Sequence, residues 1–541
     1  MSFDLIPEPQ SVTLNGEAAD SDDAGAPVPV ALPLVGRISE DRDIDDIAGV
    51  FPTQLADDIE AATGLRWDIA SDVMVAGLPA PNAAIAHPVP PHASCWKSFI
   101  TLRLDPSSLE PQEYRLTIAR SGIDVVGGDT EGVRNGVQTL RQIIRQCAPA
   151  LPRLVIADKP AYKVRGYYLD ATRGRVPTLD WLKTWADRLC LYKYNQLQLY
   201  IEHTFMFDDL SETWRGTSPL KPADIIAFDE YCARLGIELV PSVSTFGHQY
   251  MAMRTRELRH LGEFPEDADR RYGFVERQRH HTLNITEPES LAFSFKLIDA
   301  YMQLFRTRKF NICGDETFDL GRGRSKPEAE RRGVAAMYAD FVSQLCRHLS
   351  ERGREPMFWG DIAVEMPQIL GLLPDNVTLL NWLYAPGIGE DKVRLVAQAG
   401  APQYVCSAVW CWNALLPRLD DSWNNISRLA RYGVKYGAVG YLVTDWGDYG
   451  HVNDPRMAVS GMIFGAQCAW NPMAHIQGEA GCGDGEEGSA AGYADAAADV
   501  VRENKAAADG DSPAPLPSSS ESDDYTGGAA RSEEHTSELQ S

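Results

Sequence analysis

Residues 165–201 read RGYYLDATRGRVPTLDWLKTWADRLCLYKYNQLQLYI, and this stretch decides the fold. A mostly apolar run, Arg165–Asp170, gives way to a polar turn. Leu179–Leu191 then carries apolar residues at helical spacing, and a second apolar run follows at Gln196–Ile201. Strand, turn, amphipathic helix and strand make one parallel strand–helix unit. The same pattern recurs downstream. Further strands are predicted at Glu238–Ser242, Lys309–Gly314, Pro356–Gly360, Val377–Trp382, Tyr404–Ala408 and Gly440–Thr444. Between them lie predicted helices such as Pro222–Leu235, Glu287–Arg306, Glu328–Arg352 and Pro455–Cys468. Eight such units over residues 159–474 predict an α/β fold, a (β/α)8 TIM barrel. The longest excursion, residues 243–308, is expected to lie as an extended loop over one face.

On the N-terminal side, residues 1–158 mix short strand-like runs with Pro and Gly. YRLTIARSGIDVVG (Tyr114–Gly127) reads as two strands joined at Ser121-Gly122. VRNGVQTLRQIIRQ places Val133, Val137, Leu140, Ile143 and Ile144 on one helical face. A small α+β domain is expected. On the other side, residues 475–541 are Gly, Ala, Ser and acid with few large apolar residues, a composition expected to stay disordered. The last eleven residues, RSEEHTSELQS (Arg531–Ser541), resemble the translation of a sequencing-adapter oligonucleotide, and the chain is expected to be a fragment.

Net charge sharpens once this tail is set apart. The 541 residues carry −25, but residues 478–541 hold 15 acidic and 3 basic side chains, leaving −13 for the rest. The acidic balance argues against nucleic acid and against an anionic membrane as partners. No stretch approaches a spanning helix, and the N-terminus MSFDLIPEPQ has no secretory pattern. Ten cysteines without a CxxC pair point to reduced thiols and a cytoplasmic protein. Oligomeric state is not legible.

In a barrel, chemistry gathers at the C-terminal ends of strands. The fourth strand ends in FNICGDETFD, placing Asp315 and Glu316 side by side. At the lip both can turn into one pocket, where one carboxyl is held protonated and the other supplies negative charge, the equipment for glycoside hydrolysis. A solvated turn capping the next helix is the competing reading. The other lips weaken it: Glu202-His203, His248, Trp359 and Asp361, Trp382 and Tyr384, Trp410 and Trp412, Trp446 and Asp448. Indole faces and carboxylates together suit a saccharide. A metal-dependent hydrolase using His203, His248, Asp315 and Asp361 is less favoured. No His-x-His occurs, and the one adjacent pair, His280-His281, lies in the long excursion. A phosphate site ranks lower still, because Gly321–Arg324 lacks the Gly-rich form it needs.

These motifs resemble glycoside hydrolase family 20, the β-N-acetylhexosaminidases, across residues 3–474. LIPEPQSV and YRLTI…GVRNGVQTLRQII resemble the family's N-terminal domain; RGYYLDATR, ELVPSVSTFGH, NICGDE and GYLVTDWGDYGH resemble its barrel strands. The resemblance implies an exo-acting enzyme without cofactor or metal, acting on N-acetylhexosamine-terminated oligosaccharides or glycoconjugates. Asp315 would orient the substrate's 2-acetamido group, whose oxygen attacks the anomeric carbon. Glu316 would be the general acid and base. Arg165 would grip the terminal sugar's hydroxyls, with Glu202, His203 and His248 in the pocket. Trp359 and Trp382 would wall the acetamido group, Trp446 would stack on the sugar and Asp448 would accept outer hydroxyls. Departures occur at Asn311, Cys313 and Asp448. In place of the family's strand-seven tyrosine the segment offers Trp410, Trp412 and Asn413, with Tyr384 of strand six as a candidate hydroxyl, and the sequence does not choose among them. They point to the cytosolic glucosaminidase-like branch, which usually carries a helical C-terminal domain. An inactive sugar-binding barrel is the alternative.

Overall fold

The computed structural model describes residues 3–14, 28–70 and 98–474. Eight parallel strands close into a barrel: Arg165–Asp170, Gln196–Ile201, Glu238–Val243, Lys309–Asn311, Glu355–Trp359, Thr378–Trp382, Gln403–Ala408 and Gly440–Asp445. The last pairs with the first, Arg165 opposite Tyr441. Strands buried on both faces need apolar residues throughout, as QLQLYI and GYLVTD provide apart from a few side chains satisfied inside. The interior is filled by Tyr168, Tyr200, Val240, Met357, Trp359, Leu380, Tyr404 and Leu442.

Two elements differ from the sequence expectation, each for a local reason. The fourth strand stops at Asn311, not Gly314, and touches the third at one pair, Ser242 opposite Asn311. Cys313, Gly314 and Glu316 have φ of 60°, 82° and 47°, so the chain coils left-handed where an extended strand was expected. The helix expected over Glu328–Arg352 is two helices, Lys326–Arg332 and Val334–Glu351, broken at Gly333 with φ 82°. The long excursion is built of short turns, Tyr250–Met253, Arg259–Leu261, Pro265–Asp267 and Glu276–Arg279, before the helix Pro288–Met302.

Ahead of the barrel stands a seven-stranded mixed sheet, ordered Ser11–Leu14, Leu154–Asp158, Tyr114–Ala119, Gly122–Gly127, Ile100–Leu104, Arg37–Glu40 and Asp68–Ala70. Helix Thr130–Cys147 packs on it, its N-terminus capped by the Asp129 side chain, which accepts from the Gly132 amide. All five apolar residues of its predicted face are fully buried. Its other face is buried too, because Arg134 donates to the carbonyls of Tyr194, Leu235 and Gly236 in the barrel. The tail predicted from residue 475 lies outside the described residues. Among the described residues no helix is long and apolar enough to cross a membrane, and the eight described cysteines are free thiols.

Candidate active site

Asp315 and Glu316 reach the pocket because the fourth strand has already ended. The left-handed turn at Cys313, Gly314 and Glu316 brings both carboxyls to one ring: His248 Nε2 lies 3.5 Å from Asp315 Oδ2 and 3.4 Å from Glu316 Oε2. His248 comes from the turn after the third strand, itself left-handed with φ 50°. The preceding Gly247 lets the two turns touch; a Cβ there would sit 2.5 Å from the Asp315 carbonyl oxygen.

Electrostatics divides the labour. Burial would depress His248, but Asp315 and then Glu316 hold it as imidazolium, with its pKa raised to about 9. Burial raises the Glu316 carboxyl, His248 restrains that rise and Asp315 adds to it. Glu316 therefore keeps its proton to higher pH than an ordinary glutamate, as a general acid must. A third carboxyl, Asp361, accepts from the Glu316 amide at 3.2 Å and is raised by burial and by Asp315. One oxygen of Asp315 and one of Asp361 are buried without a hydrogen-bond partner, acceptors left free for a polar group. His248, Asp315 and Glu316 are the one cluster of three or more ligand-type groups among the described residues that could hold a metal ion.

Arg165 is not in this pocket. It stands at the start of the first strand, at the opposite end of the barrel, where it donates to the Lys193 and Tyr162 carbonyls and to Gln112 and Glu131. The pocket arginine is Arg173, at the other end of the same RGYYLDATR motif. It donates to Glu202 at 3.2 Å and to Asp448 at 2.6 Å, and lies 5.1 Å over the Trp446 ring and 5.2 Å over Tyr200. Asp170 holds this lip in shape, accepting from the amides of Thr172, Arg173 and Gly447. Sequence reading missed Arg173 and Asp170. The rule that chemistry sits at C-terminal strand ends would have selected both.

The other predicted residues gather as follows. Glu202 accepts from Tyr200 and Arg173 and faces His203 at 3.8 Å; burial raises its pKa, but His203 and Arg173 overcome this and lower it. Glu202, His203 and His248 line two adjoining narrow clefts, one closed by Phe207 and Leu297, the other bounded by Arg173 and Phe274. On the far wall Trp382 stacks on Tyr384 at 5.1 Å and Tyr384 meets Trp412 at 5.6 Å. Trp446 Nε1 donates to the Tyr384 hydroxyl at 2.7 Å. Trp359 has no exposed surface. It backs Trp446 and Tyr168 from the barrel interior, so the exposed wall falls to Trp382 and its neighbours.

Comparison with known proteins matches this geometry to one family. The profile "Glycosyl hydrolase family 20, catalytic domain" matches residues 162–412, and "Glycosyl hydrolase family 20, domain 2" matches residues 43–159. A beta-hexosaminidase of Akkermansia muciniphila is 30% identical over 341 residues, 56% of this chain and 65% of the relative. A lacto-N-biosidase of Bifidobacterium bifidum is 26% identical over 315 residues, 55% of this chain and 26% of the relative. The chain thus spans less than two thirds of these relatives. In fold it is similar to a beta-N-acetylhexosaminidase of Bacteroides fragilis, with TM-score 0.63 at 17% identity over 93% of this chain and 95% of that one. It is also similar to the N-acetyl-beta-hexosaminidase of Streptomyces plicatus, with TM-score 0.63 at 18% identity over 86% and 90%.

Proposed function

The chain belongs to glycosyl hydrolase family 20, and from that premise we propose that it is an exo-acting β-N-acetylhexosaminidase that releases terminal N-acetyl-β-D-glucosamine by substrate-assisted retention. The observation that carries this reading is the convergence of Asp315 and Glu316 on His248, with Glu316 raised. Asp315 steadies the acetamido N–H so that the carbonyl oxygen closes on the anomeric carbon from below. Glu316 gives its proton to the leaving oxygen, and the oxazolinium-like intermediate forms. Glu316 then takes a proton from water as that water opens the ring, restoring both enzyme and configuration. The charge on His248 restrains the rise that burial imposes on Glu316, so the same carboxyl that gives the proton can take one back.

Arg173 and Asp448 fix the outer hydroxyls, and the Trp446–Tyr384 hydrogen bond fixes the far wall. Held this way, the acetamido oxygen and the anomeric carbon stay in attack geometry. The chemistry is assigned to side chains alone, without cofactor. Eight described cysteines as free thiols support a cytoplasmic setting.

The test is hydrolysis of p-nitrophenyl N-acetyl-β-D-glucosaminide. Wild type is expected to turn it over and Glu316→Gln to lose all but a trace. A Glu316→Gln enzyme as active as wild type overturns the reading.

A further inference from the structure

The turn that presents Glu316 is held from outside itself. Cys313 and Glu316, with φ 60° and 47°, are left-handed without being glycine, a conformation that persists only where surrounding groups over-determine it. Three of those groups act ahead of Glu316. The Cys313 amide donates to the Asn311 side chain at 2.9 Å, the Trp359 amide donates to the Cys313 carbonyl at 3.0 Å, and the Tyr338 hydroxyl donates to the Gly314 carbonyl at 2.8 Å. At Glu316 itself the partner is Asp361, whose Oδ2 accepts from the Glu316 amide at 3.2 Å.

Asp361 stands on a different element from the turn it holds. It follows Trp359-Gly360 at the end of the fifth strand, and the Gly360 amide donates to the Leu380 carbonyl of the sixth strand at 2.9 Å. The Val364 amide closes the next turn back onto the Gly360 carbonyl, also at 2.9 Å. The backbone around Asp361 is therefore tied to the barrel and not to the catalytic turn. The Glu316 N–H meets this carboxyl only while its peptide keeps the left-handed setting. Turning that peptide over would relieve the strain, break the bond to Asp361 and draw the Glu316 carboxyl from His248, 3.4 Å away.

The bond needs an oxygen that accepts and does not need a charge. Burial, and then Asp315, raise the Asp361 carboxyl well above the usual carboxylate range, while the Glu316 amide opposes the rise. A protonated carboxyl still accepts through its carbonyl oxygen, as the side-chain amide of asparagine does.

Resting on the hydrolase reading above, we propose that Asp361 is a positioning residue for the general acid: by accepting from the Glu316 amide it fixes the left-handed turn and so sets the direction of the Glu316 carboxyl. Asp361 touches neither the sugar nor the reacting atoms in this role. It acts through Glu316.

The test varies how much the leaving group needs a proton. Dinitrophenolate departs with little help from an acid, whereas phenolate needs it. kcat/KM is measured on dinitrophenyl and phenyl N-acetyl-β-D-glucosaminides. Asp361→Ala should lose on the order of thirtyfold on the phenyl glycoside, part of the hundredfold or more that a placed acid contributes, and less than about threefold on the dinitrophenyl glycoside. Asp361→Asn, which keeps an oxygen for the amide, should recover most of the phenyl loss. In a Glu316→Gln background Asp361→Ala should affect both glycosides alike, since no acid is left to misplace. Should Asp361→Ala fail to fold, Asp361→Leu, which fills the space without an acceptor, is held to the same pair of substrates. Equal losses on the two glycosides mark a merely structural role and overturn the proposal. So does an Asp361→Asn enzyme as impaired on the phenyl glycoside as Asp361→Ala. Failure of the hydrolase reading shows separately, as a wild type that hydrolyses neither glycoside, and takes this inference with it.

Discussion

Arg173 and Arg165 are eight residues apart in one motif and do different work. Arg173 lies among Glu202, Asp448 and two aromatic rings at the pocket lip, whereas Arg165 is buried at the far end with Glu131 and backbone carbonyls. Arg173→Ala should lower kcat/KM about a hundredfold or more, by removing the sugar grip and the cation that Asp448 and Glu202 share. Arg165→Ala should destabilise the fold by about 3 kcal/mol while kcat/KM per folded enzyme stays within about twofold. Thermal melts and steady-state kinetics on both variants check the pair; reversed outcomes would return Arg165 to the pocket. His248 gives a pH prediction. Its folded pKa of about 9 exceeds the unfolded value of 6.5, so its stabilisation is complete below pH 6.5 and is lost as pH rises to 9. The stability difference between wild type and His248→Gln should therefore shrink by about 3 kcal/mol across that window, read from denaturant melts at each pH. A difference that stays constant would remove the imidazolium from the site. The candidate pair Asp315 and Glu316 was legible in the sequence only because the neighbouring strand ends carry indoles, histidines and carboxyls as well, which a solvated turn does not explain. The arginine was misassigned because the motif offers two, and only strand direction separates them.

At the scale of elements, the site is a set of turns pressed against one another, and their closeness rests on small residues. Gly174, with φ 77°, follows Arg173, and a Cβ there would sit 2.4 Å from the Gly450 carbonyl oxygen. Gly174→Ala must separate the first and eighth lips and pull Arg173 from Asp448. Activity should fall at least about tenfold, with a stability loss of about 2 kcal/mol or more. Gly353→Ala is the control. Its φ is similar at 72°, but nothing lies within 4 Å of the added carbon, so about 1 kcal/mol of strain is expected and kinetics should not change. Equal kinetic effects in both variants would show that strain, not the meeting of lips, governs the site. Seven barrel strands lie within a residue or so of their predicted bounds, because an apolar run flanked by turns is a strong signal. The fourth strand was overextended because NICG has apolar composition while its backbone turns left-handed. Composition does not record φ. The helix broken at Gly333 was lost in the same way, since one glycine within a periodic run reads as tolerated.

Across the whole molecule, the sheet domain and the barrel are joined by buried polar groups. Asp158, at the end of the sheet's strand Leu154–Asp158, accepts from Tyr114 at 2.8 Å and from Trp470 Nε1 at 3.0 Å, and pairs with Lys193 at 3.6 Å. Lys193 also lies 4.2 Å over the Trp470 ring, and burial lowers its pKa to about 8. Arg165 bonds Glu131 across the same boundary, and Arg134 crosses in the opposite direction to three barrel carbonyls. Neither part can leave without stranding charges in its exposed face, and uncompensated buried charge costs more than the pair contributes. The sequence predicted two domains and nothing of this seam, because each residue of it reads alone as an ordinary surface charge. The physical consequence is cooperative unfolding. Calorimetry on the full chain should show the sheet and barrel melting in one transition, with van't Hoff and calorimetric enthalpies in agreement for that peak. Asp158→Ala should lower its midpoint, at a cost of about 3 kcal/mol, because Lys193 and the Trp470 N–H lose their acceptor inside the protein. Activity at 25 °C should persist, since Asp158 sits at the opposite end of the barrel from Glu316. Two separate transitions in the wild type, or an unshifted midpoint in Asp158→Ala, would mean that the seam is a passive contact and that the barrel stands without it.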